Sequence, residues 1–294
     1  MDNCPKCNVK NKYLYWCLQC LSQYFQAEFS NWSSGNQIID KFIQEIQLNA
    51  TEWAQYLEWI PYERLVNVHY LAKGGFGSVY SATWLDGPKA CDRDKIEIFC
   101  RKENHPVALK SINHSGPAME GFFSELNIYI EAMKSFDGYN DLLRYYGITQ
   151  NPETKEYMMV TQFANQGSLR DSLNKSFGNK MLWKTKLYLL MRISTALITI
   201  HQAGLVHRDL HSGNILLDDD DEDSATILAP MTRVSDLGLT CQVELLGEPD
   251  ELGFCDKIKP ENSNKPISKL HDKAIYTSRL LDFKNLPVSI HGNV

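Results

Sequence analysis

Apolar residues recur at helical spacing in three stretches of the chain, and each stretch predicts a helix with one buried face. The first follows Asn36, whose side chain can cap a helix, and its apolar positions are Ile38, Ile39, Phe42, Ile43 and Ile46. The second, residues 119–136, carries Phe122, Leu126, Ile130 and Met133. The third, residues 184–203, carries Leu187, Leu190, Ile193 and Leu197. We interpret the first helix as a connector packed on the following domain; a partner-binding helix is the alternative.

Alternating apolar residues predict a two-stranded hairpin around a glycine-rich stretch at residues 72–77. The alternating positions are Val66, Val68 and Tyr70 before that stretch and Val79, Ser81 and Thr83 after it. The run 107–110 reads Val-Ala-Leu-Lys and is typical of a buried strand that ends in a lysine. Residues 142–148 and 156–162 predict two further strands that pair through a short turn.

Length and composition are those of a globular protein of one or two domains. The chain has 294 residues, 43% of them hydrophobic, and a net charge of −6, which argues against a nucleic-acid surface. Its longest apolar stretch, residues 187–205, contains Arg192 and three Ser or Thr side chains, which favours a buried helix over a membrane span. The N-terminus has no basic segment followed by an apolar run, so we expect no secretory signal and a cytoplasmic location.

Four cysteines near the N-terminus have the spacing of a metal site. Cys4, Cys7, Cys17 and Cys20 form two C-x2-C pairs separated by nine residues. Each pair can direct two thiolates at one ion, and two pairs complete a tetrahedral zinc site with no open position for water. We therefore predict structural zinc; four free or redox-active cysteines are the alternative.

The run His207-Arg208-Asp209-Leu210 is followed by Asn214, which gives the pattern H-R-D-L-x-x-x-N. Phosphoryl transfer needs an Asp to accept the acceptor's hydroxyl proton and an Asn to hold magnesium, and this spacing supplies both. In the expected order, the chain also has the glycine-rich hairpin, the Val-Ala-Leu-Lys strand, a helix with Glu125 fifteen residues after Lys110, and Asp236-Leu237-Gly238. Over residues 64–240 the sequence resembles protein kinases, specifically the tyrosine-kinase-like group.

The resemblance implies a role for each motif residue. Lys110 positions the phosphates and Glu125 orients Lys110. Asp209 receives the proton, while Asn214 and Asp236 hold Mg2+. The residues implied to bind ATP are Leu71, Ala72, Lys73, Gly74, Gly75, Phe76, Gly77, Val79, Ala108, Lys110, Thr161, Gln162, Ala164 and Leu216. In this reading Gly74 and Gly77 let backbone N–H groups approach phosphate.

The resemblance also implies an α+β, bilobal, protein-kinase-like fold, with a β-rich N-lobe and a partial helical C-lobe after a zinc-ribbon-like segment and a helix. The expected divisions are a four-cysteine segment (1–35), a helical connector (36–63), the N-lobe and hinge (64–163), the partial C-lobe with the catalytic loop (164–240) and an irregular tail (241–294). The acidic run 218–223 is interpreted as a solvated loop, with metal binding as the alternative.

The function implied is ATP-dependent phosphate transfer to protein Ser/Thr hydroxyls, with Tyr as another acceptor. No Ala-Pro-Glu motif follows Gly238, and His211 stands where many such kinases have a lysine. We therefore expect weak transfer, an exposed apolar face on the helix at 184–203, and a protein substrate or a scaffold partner docked on the C-lobe, with no nucleic-acid or membrane partner. The alternative is a pseudokinase-like module that binds nucleotide or a partner.

Overall fold

A computed structural model of the chain describes residues 4, 7–9, 17–51, 55–73, 77–90, 100–111, 116–134, 141–175, 181–218 and 230–242. The helices are α1 Leu18–Glu28, α2 Gln37–Asn49, α3 Gly116–Lys134, α4 Leu169–Lys175 and α5 Trp183–Gln202. The strands are β1 Glu58–Trp59, β2 Leu65–Lys73, β3 Ser78–Trp84, β4 Lys89–Ala90, β5 Cys100–Arg101, β6 His105–Ser111, β7 Tyr145–Gln150, β8 Tyr157–Gln162, β9 Gly167–Ser168, β10 Leu205–Val206, β11 Ile215–Asp218, β12 Met231–Val234 and β13 Cys241–Gln242. Predictions for Gly74, Gly75 and Phe76, most of the acidic run and the tail from residue 243 lie outside the described residues.

The largest sheet has six strands in the order β1-β7-β8-β6-β3-β2. All neighbouring pairs are antiparallel except β1 and β7, which run parallel. The predicted hairpin is therefore confirmed as β2 and β3, and the Val-Ala-Leu-Lys run lies at the centre as β6. The two later strands also pair as predicted, but β7 begins at Tyr145, because Leu142 bridges to Val234 instead.

Helices α2 and α3 share one hydrophobic core, so the first helix packs on the domain that follows it. The Asn36 side chain accepts a hydrogen bond from the Ile38 N–H, as the predicted cap requires. Ile39 and Ile43 are fully buried in the same cluster as Leu126 of α3. Including Ile38 in the buried face was wrong: it is 69% exposed, because it lies one residue outside the stripe formed by Ile39, Ile43 and Ile46.

The short strand β1 attaches this helical region to the edge of the large sheet. Glu58 pairs with Gly147 of β7, and a Cβ added to Gly147 would lie 2.0 Å from the Glu58 carbonyl oxygen. Only glycine therefore allows β1 to approach this closely. Arg101 of the β4–β5 hairpin forms an ion pair with Glu58 at 2.6 Å, which ties the hairpin to the same edge.

Helix α5 packs one side against β10 and β12, with Leu189, Ala196 and Ile200 buried. On its other side Leu187 and Leu190 are exposed, as predicted, whereas Ile193 and Leu197 are half-buried. The prediction that all four would be exposed is wrong, since Leu197 packs on the main core. Within the described part of the chain, no helix combines the length and apolarity needed to cross a membrane.

Candidate active site

Four residues predicted to lie at the nucleotide share one face of the large sheet. Val79 lies opposite Lys110, and Ala108 lies opposite Thr161. Since side chains alternate between the faces of a strand, Ala108 and Lys110 point the same way, and their cross-strand partners join them. Helix α3 covers this face and brings Glu125 to it.

Lys110 joins two carboxylates that are far apart in the sequence. Its Nζ lies 3.0 Å and 3.1 Å from the two carboxylate oxygens of Glu125, and 3.2 Å from Asp236 Oδ1. Burial alone would lower the pKa of Lys110, but the charges of Glu125 and Asp236 outweigh it and raise that pKa. The ammonium group is therefore held charged between the two acids.

Glu125 has a further partner, Tyr145, that sequence reasoning missed. The Tyr145 hydroxyl donates to Glu125 Oε1 at 2.6 Å. The phenol is buried, and its pKa is raised well above its ordinary value, first by burial and then by the charge of Glu125. A tyrosine within a strand is normally read as a core residue, and no motif spacing marks this one.

The predicted catalytic loop brings Asp209 and Asn214 together. Asn214 Nδ2 donates to both the backbone oxygen and Oδ2 of Asp209, each at 3.0 Å. This leaves the Asn214 amide oxygen as the atom that suits a hard cation. Arg208, just before Asp209, has a φ of 63°, a left-handed conformation that non-glycine residues rarely adopt.

His207 connects this loop to the segment that carries Asp236. Its Nε2 lies 3.0 Å from the Ser235 carbonyl oxygen, and the Asp209 N–H donates to its Nδ1 at 3.3 Å. Since Nδ1 is an acceptor, we assign the proton to Nε2, which makes the ring neutral. Burial lowers the pKa of His207 and favours that neutral form. Asp236, the residue after Ser235, has a left-handed backbone conformation with a φ of 63°.

Leu237, the residue after Asp236, is 2% exposed and belongs to the main hydrophobic core. Leucine at this position therefore fills an apolar pocket of the core. The core therefore fixes the backbone next to the Asp236 carboxylate.

His211 contacts both the catalytic loop and α4. Its Nδ1 lies 3.0 Å from the Gly213 N–H and 3.2 Å from an Arg170 guanidinium nitrogen, and its Nε2 lies 3.8 Å from Asp209 Oδ1. A Cβ on Gly213 would lie 2.9 Å from the His211 ring, so glycine allows the loop to close around it.

The segment 162–168 contains Gln162 and Ala164, which are predicted to contact ATP. The Gln162 N–H donates to the Arg144 carbonyl, and the Gln162 side chain donates to Asp218 Oδ2 at 2.9 Å. The carbonyl of Gln162 and the N–H of Ala164 are then the backbone groups suited to adenine. Asp218 opens the acidic run, yet it belongs to β11 and braces this segment.

Close packing against β6 requires glycine at position 77, whereas the approach of the backbone to phosphate stays a prediction. A Cβ there would lie 1.9 Å from the Ser111 carbonyl oxygen, so the strand end of β6 excludes any larger residue. The predicted positions Leu71, Ala72 and Lys73 lie at the far end of β2 with exposed side chains. Leu216 lies on β11, in register with Ser168 of β9.

The four N-terminal cysteines form one cluster. Their sulfur atoms all lie within 4.8 Å of one another, with Cys4 and Cys20 at 3.8 Å and Cys7 and Cys17 at 3.4 Å. A tetrahedron of thiolates about 2.3 Å from zinc has sulfur–sulfur separations of about 3.8 Å, so the donor set fits that ion. The second pair lies at the start of α1, where Cys17 precedes the first turn.

Residues 65–250, more than half of the chain, match the family model for protein tyrosine and serine/threonine kinases. The chain belongs to the protein kinase family. Its β-rich part is thus a kinase N-lobe, and α4, α5 and the catalytic loop belong to the second, helical lobe. The predicted fold class is confirmed.

Several named kinases are similar to this chain. A leaf rust 10 disease-resistance locus receptor-like protein kinase-like protein (1.4) of Arabidopsis thaliana is 30% identical over 58% of this chain, and the match spans 21% of that relative. A probable serine/threonine-protein kinase of Dictyostelium discoideum is 27% identical over 64% of this chain and 28% of the relative. An Arabidopsis serine/threonine/tyrosine-protein kinase is 34% identical over 29% of this chain and 20% of the relative. The chain therefore spans less than a third of the length of these kinases.

Proposed function

We propose that the chain binds Mg-ATP against the sheet face of Lys110 and is a kinase of protein serine and threonine hydroxyls, with tyrosine as another acceptor. The observation that carries this proposal is the contact of Lys110 with both Glu125 and Asp236. His207 also links the carbonyl of Ser235, the residue before Asp236, to the Asp209 N–H. The Dictyostelium relative is named a serine/threonine kinase. Protein kinases act on proteins, so the partner proposed is a protein substrate or scaffold.

The residues of the site fit the roles that this chemistry requires. Lys110, held charged, would neutralise phosphate oxygens, and Glu125 fixes its direction. Asp209 would accept the proton of the acceptor hydroxyl. Asn214 and Asp236 offer the oxygen donors that Mg2+ prefers, and the bound ion would offset phosphate charge. Positioning and charge stabilisation are then the main contributions of the protein.

Nucleotide binding tests the first part of the proposal. Saturating Mg-ATP should raise the melting temperature of the purified chain, since a ligand that binds only the folded state stabilises it. Lys110→Ala should reduce that shift strongly. Lys134→Ala is the matched control, because Lys134 is an exposed lysine that pairs with Glu131 on the last turn of α3. An unchanged melting curve for the wild type at millimolar Mg-ATP would contradict the proposal.

A second candidate function is nucleotide binding without efficient phosphate transfer. It is favoured by His211, which contacts Arg170 and Gly213 at the position where many kinases have a lysine that reaches the transferred phosphate. Transfer from radiolabelled ATP to a generic protein substrate separates the two functions, with Asp209→Asn as the inactive control. Binding with little transfer supports the second function; robust transfer that Asp209→Asn abolishes excludes it.

We also propose that the four-cysteine cluster binds one structural zinc ion, on the strength of its donor set and sulfur separations. The purified chain should contain close to one zinc per molecule, and Cys17→Ser should lose it and unfold the segment around α1. Cys241→Ser is the matched control, because this free cysteine lies outside the cluster. Elemental analysis that finds no zinc, with all four thiols reactive, would exclude the site.

The location and domain divisions complete the proposal. We also propose a cytoplasmic location, because a four-cysteine cluster suited to zinc is typical of reducing compartments, where disulfides are rare. The four boundaries after residues 35, 63, 163 and 240 are proposed as the limits of the five segments. Limited proteolysis would test them, because exposed junctions are cleaved first.

A further inference from the structure

Tyr145 touches helix α3 at two points one helical turn apart. Its hydroxyl contacts Glu125, and its ring packs on Tyr129 with centroids 4.6 Å apart. Positions four residues apart lie on the same face of a helix, so the one tyrosine contacts successive turns of that face. Tyr145 also pairs with Thr161 across the sheet, which places it on the face that carries Lys110.

The hydroxyl contact restricts the carboxylate of Glu125. Lys110 approaches both carboxylate oxygens from the sheet, while Tyr145 donates to Oε1 alone from the side of β7. A flexible lysine can follow a carboxylate that rotates away, whereas a phenol fixed by two χ angles and a stacked ring cannot. The tyrosine therefore selects one orientation of Glu125.

We propose that Tyr145 is a positioning residue for the nucleotide site, whose hydroxyl holds the Glu125 carboxylate turned toward Lys110. The inference rests on the proposed function, since Glu125 matters there only through Lys110 and the phosphates. The competing view is that Tyr145 only fills the core. In that view the ring contributes to stability and the hydroxyl has no effect on nucleotide binding.

The test is Tyr145→Phe, which keeps the ring and removes the hydroxyl. We expect Mg-ATP to bind about three- to tenfold more weakly, which is the range for losing a typical intramolecular hydrogen bond. Tyr146→Phe is the matched control, since its hydroxyl lies 2.9 Å from His105 Nε2 and it is the next residue of the same strand. Its effect on affinity should stay below about twofold, because Tyr146 packs in a different core cluster.

A double-mutant cycle with Glu125→Ala identifies the route of the effect. If Tyr145 acts through Glu125, the added Tyr145→Phe change should have no further effect on affinity in the Glu125→Ala background. Equal affinity of wild type and Tyr145→Phe, or fully additive effects, would overturn the inference while leaving nucleotide binding intact.

The same cycle is also measured by denaturation without nucleotide, which keeps the inference separate from the proposed function. If wild type bound no Mg-ATP, the proposed function would fail, and coupling between the two substitutions would decide whether the hydroxyl holds Glu125. An absence of coupling in the denaturation cycle would overturn the inference as well.

Discussion

At the scale of single residues, His207 shows how a buried neutral group can support the catalytic loop. It accepts from the Asp209 backbone and faces the Ser235 carbonyl, so it joins the loop to the segment before Asp236. A second proton on this ring would place an N–H against the Asp209 N–H. The free energy of folding must therefore depend on the protonation of His207.

Stability should fall on mild acidification because of His207. Burial lowers its pKa below the ordinary value of 6.5, so the unfolded chain binds protons more readily than the folded chain. The contribution of this group is fully present above pH 6.5 and is lost as the pH falls toward the folded pKa. Denaturant unfolding at about pH 7.5 and about pH 5.5 should show a larger loss for wild type than for His207→Phe.

His201→Asn is the control for this measurement, because His201 is exposed on α5. It should keep the pH dependence of the wild type. Equal losses in wild type and His207→Phe would show that His207 does not set the dependence.

The resemblance to kinase motifs was enough to propose Lys110, Asp209, Asn214 and Asp236, because each stands in a short recognisable run of the sequence. Glu125 was proposed because it neighbours the apolar face of the helix after Lys110. The sequence motifs could not locate Tyr145, whose position depends on the register of β7 against β8. That register shifts between Tyr145 and Gly147, so alternation counted from later in the strand assigns the wrong face. The steric need for glycine at position 77 could not be predicted from the sequence either, because it depends on how close the Ser111 carbonyl lies.

At the scale of elements, α2 supports the helix that carries Glu125. Ile39 and Ile43 of α2 share a core with Leu126, the residue after Glu125, and the Phe42 and Phe123 rings lie 4.7 Å apart. Helix periodicity in the sequence predicted both helices, while their mutual packing was predicted only as docking on the next domain. Strand β1 was not predicted, because two residues are too few to show the alternation of apolar and polar positions that marks a strand.

Ile43→Ala should lower the free energy of unfolding by about 2–5 kcal/mol, because it leaves a cavity between α2 and α3. Ile38→Ala is the matched control on the same helix; at 69% exposure it should change stability by less than about 0.5 kcal/mol. Guanidinium denaturation measures both. Similar losses in the two variants would mean that α2 does not pack on the core through its Ile39–Ile43 face.

At the scale of the whole molecule, the family match and the folding unit begin at different places. The match starts at residue 65, but residues of α2 and β1 complete the core and the sheet. The Tyr56 hydroxyl also accepts from the Lys89 N–H, and Lys89 Nζ lies 4.8 Å from the Tyr24 ring centroid. The segment before residue 65 is therefore part of the fold of the N-lobe.

A chain that begins at residue 65 should consequently be less stable and less soluble than one that includes α1, α2 and β1. The deletion uncovers the apolar face of α3, and exposed apolar patches promote association. Size-exclusion chromatography and thermal melting would show the change. Replacing Ile39, Ile43 and Ile46 with serine in the intact chain should reproduce the lower melting temperature, which separates lost packing from lost length. A monomeric, equally stable deletion would refute the expectation.

The two-residue strand β1 has a consequence for self-association. A sheet edge with unpaired backbone groups can recruit strands from other molecules, and β7 would be such an edge without β1. Glu58 and Trp59 occupy its hydrogen-bonding positions, yet β1 is too short to act as a new template. The opposite edge, β2, is interrupted by register shifts after Val66 and after Tyr70. Both edges of the sheet are therefore poor templates for amyloid-like growth. Because Gly147 allows β1 to pair with β7, it helps to keep the folded chain from polymerising.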